Sequence, residues 1–198
     1  MKKDTGSYEF GNFIENDKEL DRLIKQANIA TEMEKKLFLD CGLEDGMQVV
    51  DIACGPGITT SLISDLVPNG TVLGIDINGQ LISLAKEQFS DRHNTDFKQS
   101  SIYELKPCQS FDFAYSRFLF QHLTSPIAAL KNVYNTLKSN GIYCVVDVDD
   151  SWLTVSPELN EFKTFTESAS FFQSVNGGDR SVGRKLKTYF HKAGFEGV

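Results

Sequence analysis

The sequence is poor in the residues that bind metals or form disulfides. It contains only three histidines and four cysteines in 198 residues. The cysteines Cys41, Cys54, Cys108 and Cys144 form no C-x-x-C pair, and no histidine stands at a metal-ligand spacing from them. Zinc sites and disulfide frameworks depend on such spacings. The sequence therefore predicts no metal site and predicts free thiols in a reducing, cytoplasmic compartment.

Basic residues are outnumbered, and long apolar runs are missing. There are 20 Lys and Arg against 27 Asp and Glu, for a net charge of -7. Surfaces that bind nucleic acid are rich in Lys and Arg, and the basic group at residues 180–187 is better explained as an exposed helix face. No run has the length of a membrane span, and the N-terminus lacks the apolar core of a signal peptide. We expect a cytoplasmic protein with no nucleic-acid or membrane partner.

Strand-like and helix-like segments alternate along most of the chain. Buried-strand patterns occupy residues 47–51, 71–77, 95–99, 111–116 and 142–148, and helical spacing occupies residues 16–41, 58–66, 80–89 and 126–138. Strands that alternate with helices of about ten residues form parallel βαβ units. The sequence predicts an α/β fold with a Rossmann-like, doubly wound, mostly parallel sheet.

The pattern divides the chain into four parts. Residues 1–42 are expected to form an N-terminal arm and cap helices, and residues 43–148 the α/β core that binds a cofactor. Residues 149–178 carry helical but no strand patterns, so we expect a helical cap insert rather than a long loop. Residues 179–198 are expected to form the last crossover helix and the start of a sixth strand.

The chain is organised around residues 47–57, where an apolar run ends in Asp51 and a turn with Gly55 and Gly57. A second strand ends in Asp76, 25 residues after Asp51. Ligands of open parallel sheets bind beyond the carboxyl ends of the strands, where Asp76 can accept hydrogen bonds from two ribose hydroxyls. The third glycine of the dinucleotide fingerprint is missing, and Asp51 would repel a pyrophosphate but attract a cation. These features favour S-adenosyl-L-methionine over NAD.

Three segments resemble successive motifs of class I S-adenosylmethionine-dependent methyltransferases, in the small-molecule branch near the ubiquinone-biosynthesis type. They are Val49 to Gly57 (VVDIACGPG), Val72 to Ile77 (VLGIDI) and Phe111 to Leu123 (FDFAYSRFLFQHL). Leu130 to Gly141 resembles the helix and turn that precede the family's fifth strand. The resemblance covers about residues 43–197. It implies direct displacement at the sulfonium methyl group by a small-molecule acceptor.

The resemblance also implies a set of cofactor-binding residues. Asp51 and the glycine loop would hold the methionine end, and Asp76 the ribose. Ser101 stands where the family often has an acid that accepts a hydrogen bond from the adenine amino group. A serine would accept this hydrogen bond more weakly. The set is Tyr8, Gln26, Asp51, Ala53, Cys54, Gly55, Gly57, Asp76, Ile77, Ser101, Ile102, Ser116 and Arg117.

Residues after the fourth and fifth strands are the candidates for acceptor chemistry. His122 is the candidate general base, although it can equally be a structural group of its loop. A base is optional, because alignment of donor and acceptor supplies much of the catalysis. Asp147, Asp149 and Trp152 could orient a polar or cationic acceptor, or form an acidic exposed loop with Trp152 as a packing anchor.

Two alternatives to this function stay open. The chain could be a non-catalytic S-adenosylmethionine-binding module or an NAD-dependent oxidoreductase. The family sheet has seven strands, of which the sequence supplies five and the start of a sixth. We therefore expect residues 142–148 to form an apolar edge that pairs with a second copy in a homodimer, unless the sequence is part of a longer chain.

Overall fold

The computed structural model describes residues 16–198 and shows a parallel five-stranded sheet with the order β3-β2-β1-β4-β5. The predicted Tyr8 lies outside the described residues. The strands are β1 (Gln48–Ile52), β2 (Thr71–Asp76), β3 (Thr95–Gln99), β4 (Phe111–Arg117) and β5 (Leu137–Val146). Every neighbouring pair of strands is parallel. The predicted Rossmann-like fold is confirmed.

Helices connect and cover these strands. They are α1 (Asn16–Asp40), α2 (Ile58–Leu66), α3 (Gly79–Gln88), α4 (Pro126–Thr136), α5 (Asn160–Val175) and α6 (Gly183–Ala193). The chain winds outward from β1 to β3 and then returns to pair β4 with β1 on its other side. This reversal between β1 and β4 opens a crevice at the carboxyl ends of the strands, which is where doubly wound sheets bind ligands.

Both faces of the sheet are buried, as a parallel sheet requires. Successive side chains of β1 alternate between the faces, so Val49 packs with Phe38 of α1 whereas Val50 packs with Leu130 of α4 and Phe190 of α6. Asp51 is two residues after Val49, so its side chain lies on the same face of the sheet, which α1 covers.

Several predicted boundaries differ from the structure. Helix α4 ends at Thr136 rather than near residue 138, because Leu137 already pairs with Phe111 at the start of an irregular β4–β5 ladder. Strand β5 therefore begins at Leu137 rather than at residue 142, and it ends at Val146, two residues earlier than expected. Helix α6 begins at Gly183 rather than residue 179, because the Asp179 carboxylate accepts from the Ser181 amide and forms a turn there.

The buried face of α1 contains an unexpected acid. Glu34 is only 4% exposed, whereas the neighbouring apolar residue Met33 is 78% exposed. Ala27, Glu34 and Phe38 are seven and four residues apart, which is the spacing of one helix face. A search for buried positions among apolar residues alone would not find this acid.

The outer parts of the described chain bear on the untested predictions. Strand β5 lies at one edge of the sheet, and pairing of two copies through it stays a prediction. Helix α5 has no buried residue and contacts the core mainly near its end. From residue 16 onward, no helix combines the length and the apolarity that crossing a membrane requires.

Gly57 offers a test of the backbone that precedes α2. Gly57 and Gly46 both have a φ of +85°, but a Cβ on Gly57 would lie 2.8 Å from the Phe97 ring, whereas one on Gly46 would meet nothing within 4 Å. We expect Gly46→Ala to cost about 1–2 kcal/mol of unfolding free energy from the left-handed backbone alone. Gly57→Ala should cost clearly more in urea denaturation, and equal losses would contradict the role of Phe97.

Candidate active site

A cleft of about 790 Å³ lies at the carboxyl ends of β1, β2 and β4, under α1. It collects residues that the sequence placed far apart. The predicted site residues that line it are Gln26, Asp51, Ala53, Cys54, Gly55, Asp76, Ile77, Ser101, Ile102, Arg117 and His122. The position of the cleft at the switch point of the sheet is the one that the fold predicts.

The remaining predicted residues do not line the cleft. Gly57 begins α2 behind the loop, and the buried Ser116 hydroxyl is 2.9 Å from the Tyr143 hydroxyl. Asp147, Asp149 and Trp152 also lie away from the lining, and Trp152 is 81% exposed.

The loop after β1 turns back on itself through positive φ angles. Ala53 has a φ of 62° and Gly55 a φ of 55°. The Cys54 amide donates to the Ile75 carbonyl at 3.0 Å, which fixes the loop to β2. A Cβ on Gly55 would meet nothing within 4 Å, so the loop backbone faces open space at this point. A ligand can therefore lie directly against it.

Asp76 holds the loop and faces the cleft. One carboxylate oxygen accepts from the Gly55 amide at 2.9 Å, and the other accepts from the Asn78 amide at 2.8 Å. Burial raises the pKa of Asp76, and these amide hydrogen bonds oppose the rise. Each carboxylate oxygen can accept more than one hydrogen bond, so both remain able to accept from ligand hydroxyls.

Asp51 is a buried acid, and the resemblance assigns it to the methionine end of the cofactor. It is 2% exposed, and one carboxylate oxygen accepts from the Thr60 hydroxyl at 2.6 Å. Burial raises its pKa to about 7; Thr60 and Arg117 oppose the rise, and Glu34 adds to it. Because the folded state holds this proton more firmly than the unfolded one, stability falls as pH rises from about 4 to 7.

Glu34 joins α1 to the floor of the cleft. Its Oε1 accepts a hydrogen bond from the Tyr115 hydroxyl at 2.5 Å. The same oxygen lies 2.9 Å from Nη1 of Arg117; the two groups form an ion pair, but not in hydrogen-bond geometry. Tyr115 stands beside Asp51 in the β1–β4 register, and Arg117 follows at the end of β4. A buried ion pair thus fixes both the helix and two side chains of the lining.

Ser101 follows β3 and therefore lies on the side of the cleft away from β4. The Ser101 hydroxyl accepts from the Tyr103 amide at 3.2 Å, and its own amide donates to the Glu104 carboxylate, which together cap a short 3₁₀ turn. Ile77 and Ile102 add apolar surface to the lining. This geometry suits a flat apolar ring with a polar edge near Ser101.

His122 lines the cleft in the short turn that follows β4. Burial, together with the positive charges of Arg180 and Arg22, lowers its pKa to about 4. Its Nδ1 is 3.2 Å from the Gln173 side-chain nitrogen. When this amide donates, Nδ1 accepts and the proton of the neutral ring is on Nε2. In that tautomer Nε2 of His122 is a hydrogen-bond donor, and the role of His122 as a general base stays a prediction.

The acids after β5 support the backbone instead of facing the cleft. Asp147 accepts from the Phe120 amide at 2.6 Å and the Val148 amide at 2.8 Å. Asp149 accepts from Ser151 and pairs with Arg184 at 2.8 Å. Both carboxylates are therefore engaged: Asp147 holds the turn that contains His122, and Asp149 links the segment after β5 to α6.

Several lining residues were missed by the sequence reasoning. They are Tyr115 and Arg180 in the lining and Glu34 and Gln173 behind it. Glu34 could have been found as an acid within the buried face of α1. Arg180 carried no such signal, because the segment before α6 reaches the cleft only through tertiary contacts such as the hydrogen bond from the Asp179 amide to the Gln121 carbonyl.

A cofactor cleft at the switch point of a Rossmann-like sheet, with acids at the ends of β1 and β2, defines the class of protein. Within residues 16–198, no cluster of three or more metal-ligating side chains accompanies it. The chain belongs to the methyltransferase domain family, whose model matches residues 43–194. The prediction of a class I methyltransferase, with S-adenosylmethionine as the cofactor of its class, is confirmed.

Individual relatives agree with this assignment. Demethylmenaquinone methyltransferase of Staphylococcus aureus is 25% identical over 178 residues, covering 83% of this chain and 74% of that protein. Trans-aconitate 2-methyltransferase of Agrobacterium fabrum is 28% identical over 115 residues, covering 58% and 44%. A methyltransferase structure from Aquifex aeolicus shares the fold, with a TM-score of 0.64 at 19% identity, covering 82% and 79%. The chain spans about half the length of some curated relatives.

The residues of the cleft fit S-adenosylmethionine. Asp76 can accept from a diol, Asp51 can attract an ammonium or sulfonium group, and the open space beside Gly55 admits a ligand against the backbone. Within residues 16–198, the lining residue Arg117 is paired with Glu34, so its charge is already engaged and not available to a pyrophosphate. The donor set thus favours a cationic cofactor without phosphates over NAD.

The raised pKa of Asp51 predicts a pH-dependent affinity. S-adenosylhomocysteine carries an ammonium group, which an ionised Asp51 attracts and a protonated one does not. With a pKa of about 7, ionisation rises through the neutral range, so affinity should increase about tenfold between roughly pH 6 and pH 8. Calorimetric titrations across this range measure it. Asp51→Asn should bind weakly and without the pH dependence; a flat wild-type profile would contradict the prediction.

Glu34 should matter for stability far more than an exposed acid on the same helix. Glu34→Ala leaves Arg117 buried without its counter-charge, and breaking a buried pair in this way costs about 3–5 kcal/mol. Glu32→Ala removes an exposed pair with Lys35 and should cost less than about 1 kcal/mol. Urea denaturation of both variants compares them directly. Equal losses of unfolding free energy would show that the buried ion pair stabilises the fold no more than the exposed one.

Proposed function

We propose that this chain transfers a methyl group from S-adenosylmethionine to a small-molecule acceptor. The observation that carries the proposal is the joint presence of Asp51, Asp76 and the loop at residues 53–56 in one cleft. The relatives act on small molecules by their names, trans-aconitate and demethylmenaquinone, which supports a small acceptor here.

Asp76 and Asp51 would bind the two ends of the cofactor. S-adenosylmethionine supplies an electrophilic methyl group on its sulfonium sulfur. Asp76 accepts from the ribose hydroxyls while it fixes the loop through the Gly55 amide. Asp51 attracts the ammonium group, and Ile77, Ser101 and Ile102 surround the adenine. These contacts hold the cofactor in one orientation, which is the main source of catalysis in a direct displacement.

His122 and its neighbours would form the acceptor side of the cleft. Gln121, His122 and Arg180 lie there, and Gln173 ties this end of α5 to Gln121 and His122. The neutral His122 can donate a hydrogen bond to an acceptor oxygen and orient it. Because its pKa is about 4, it is a weak base, and the acceptor must arrive as a nucleophile or release its proton to water.

Two measurements separate this function from its rivals. Calorimetry with S-adenosylhomocysteine and NADH distinguishes a methyltransferase cofactor site from an oxidoreductase site, and we expect only the first ligand to bind. Transfer of labelled methyl groups into a cell extract, followed by mass spectrometry, then identifies the acceptor. Cofactor binding without transfer to any extract component would favour the non-catalytic module instead.

Asp76 gives a direct test of the cofactor contacts. Asp76→Ala removes the acceptor for the ribose hydroxyls and the hydrogen bond to the Gly55 amide. Hydrogen bonds to a charged group contribute about 1.5–3 kcal/mol, so affinity for S-adenosylhomocysteine should fall by at least tenfold. The matched control is Asp65→Ala, which removes an acid that pairs with Arg92 outside the cleft. Unchanged affinity in Asp76→Ala would remove the proposed role.

A further inference from the structure

We propose that Cys41 and Cys144 are a modification site, at which a low-molecular-weight disulfide such as glutathione disulfide forms a reversible disulfide bond between the end of α1 and β5. The methyl transfer proposed above uses neither sulfur. The inference depends on the contact between these two thiols, and it is independent of the cofactor and of the acceptor.

The two thiols lie against each other although they are far apart in the chain. The Cys41 thiol donates to Sγ of Cys144 at 3.8 Å, across 103 positions of sequence. The sulfurs of a disulfide are about 2.05 Å apart, so each sulfur has to move by only about 0.9 Å. Small rotations about the two Cα–Cβ bonds can supply this displacement.

Both sulfurs are attached to backbone that the fold holds in place. Cys41 follows the last residue of α1, and its amide donates to the Leu37 carbonyl at 2.9 Å. Cys144 lies within β5, in the ladder with β4. A Cβ on Gly42 would lie 3.2 Å from Cδ1 of Ile142, so the turn after α1 packs closely against β5. The contact between the thiols is therefore part of the packing between α1 and the sheet.

The surroundings of the pair decide which thiol reacts first. Cys41 is partly exposed, whereas Cys144 is only 7% exposed. Burial and the neighbouring Cys41 raise the pKa of the Cys144 thiol, which makes this thiol a poor nucleophile towards a disulfide in solution. The reaction therefore begins at Cys41 and is completed by Cys144.

The chemistry consists of two successive thiol–disulfide exchanges. The Cys41 thiolate attacks one sulfur of glutathione disulfide, which releases one glutathione and leaves a mixed disulfide on Cys41. The Cys144 thiolate then attacks Sγ of Cys41 and releases the second glutathione. The two protons of the protein thiols leave with the two glutathione thiols, so the protein loses two electrons and glutathione disulfide gains them. Contact between the two sulfurs favours the second exchange, because it is intramolecular.

The other two cysteines of the chain have different neighbours. The Cys54 thiol donates to the Gly55 carbonyl at 3.7 Å, and the Cys108 thiol donates to the Thr136 carbonyl at 3.8 Å. Cys108 is exposed and can form a mixed disulfide with glutathione. The carbonyl oxygen beside its sulfur cannot release that glutathione again. Cys108 is therefore the matched control for the thiol pair.

The disulfide would attach the helix that covers the cleft to the edge of the sheet. α1 ends one residue before Cys41, and Glu34 of this helix contacts Tyr115 and Arg117 of the cleft lining. Tyr115 is in turn the β4 neighbour of Cys144. A bond that closes a loop of this length also restricts the unfolded chain, which stabilises the folded state. Oxidation should therefore make the end of α1 open less often.

The test begins with the free thiols of the native, fully reduced protein. The protein is incubated with excess glutathione disulfide, the remaining thiols are blocked with iodoacetamide, and the peptides are mapped by mass spectrometry without reduction. We expect a disulfide between Cys41 and Cys144, with glutathione confined to Cys108. Reduction with dithiothreitol should return all four thiols.

Single variants separate the two exchanges. In Cys144→Ser, Cys41 should stop at the mixed disulfide with glutathione, whereas Cys108→Ser should form the same internal disulfide as the wild type. Cys41→Ser keeps the test valid if Cys144→Ser does not fold, because Cys41 is partly exposed. In Cys41→Ser, Cys144 should remain a free thiol.

The attachment of α1 is measured in Cys108→Ser, where no glutathione adduct at Cys108 complicates the comparison. Oxidation should raise the urea midpoint by about 1 M, because the disulfide restricts the unfolded chain. It should also slow hydrogen exchange of the amides in the last turns of α1 about tenfold or more. The double variant with Cys41→Ser should show neither change.

The inference is wrong if Cys41 and Cys144 remain free thiols, if both carry glutathione, or if one of them pairs with Cys108 instead. Equal urea midpoints of the oxidised and reduced proteins would contradict the attachment of α1 to the sheet. These measurements use neither S-adenosylmethionine nor an acceptor, so their outcome is distinct from that of the tests of the proposed function.

Discussion

The site depends on a carboxylate that is buried inside the sheet, at the end of its central strand. Removing Asp51 from water is costly, and the structure offsets this with the Thr60 hydroxyl and the positive charge of Arg117. Arg117 is itself buried, and its charge is balanced by Glu34 on α1, the helix that covers this face of the sheet. The helix that covers the cleft is thus attached to the sheet through the same charges that prepare the cleft for a cation. Cofactor binding and the position of α1 are coupled by this arrangement.

The second acid has a different task, and its environment explains the difference. Asp76 accepts from two backbone amides, so its charge is stabilised by the loop that it holds. Asp51 has one hydroxyl donor and a nearby acid, and its pKa rises into the neutral range. One carboxylate is therefore a fixed structural and binding group, whereas the charge of the other responds to pH and to a cationic ligand. The two roles arise from local hydrogen bonding on neighbouring strands of one sheet.

The sequence was sufficient to predict the sheet, the position of the cleft and the cofactor of the class, because these follow from local patterns. Apolar runs that end in Asp51 and Asp76, with a glycine turn between strand and helix, indicate where the strands end and what faces the crevice. The acceptor end could not be predicted in this way. Arg180 lies more than fifty residues after His122 in the chain, and only the packing of the segment before α6 brings the two together. Asp147 and Asp149 looked like substrate ligands because their hydrogen bonds to distant backbone and to Arg184 cannot be read from spacing.

The charges of the cleft fit the methyl donor proposed for it. Asp51 and Asp76, at the ends of β1 and β2, would attract a cationic ligand. The lining arginines Arg117 and Arg180 are each held in an ion pair, with Glu34 and Asp150 respectively. A neutral His122 in the same lining would add a hydrogen-bond donor without adding a positive charge beside the sulfonium. Specificity for the acceptor would then reside in the segments around His122, rather than in the central strands that hold the cofactor.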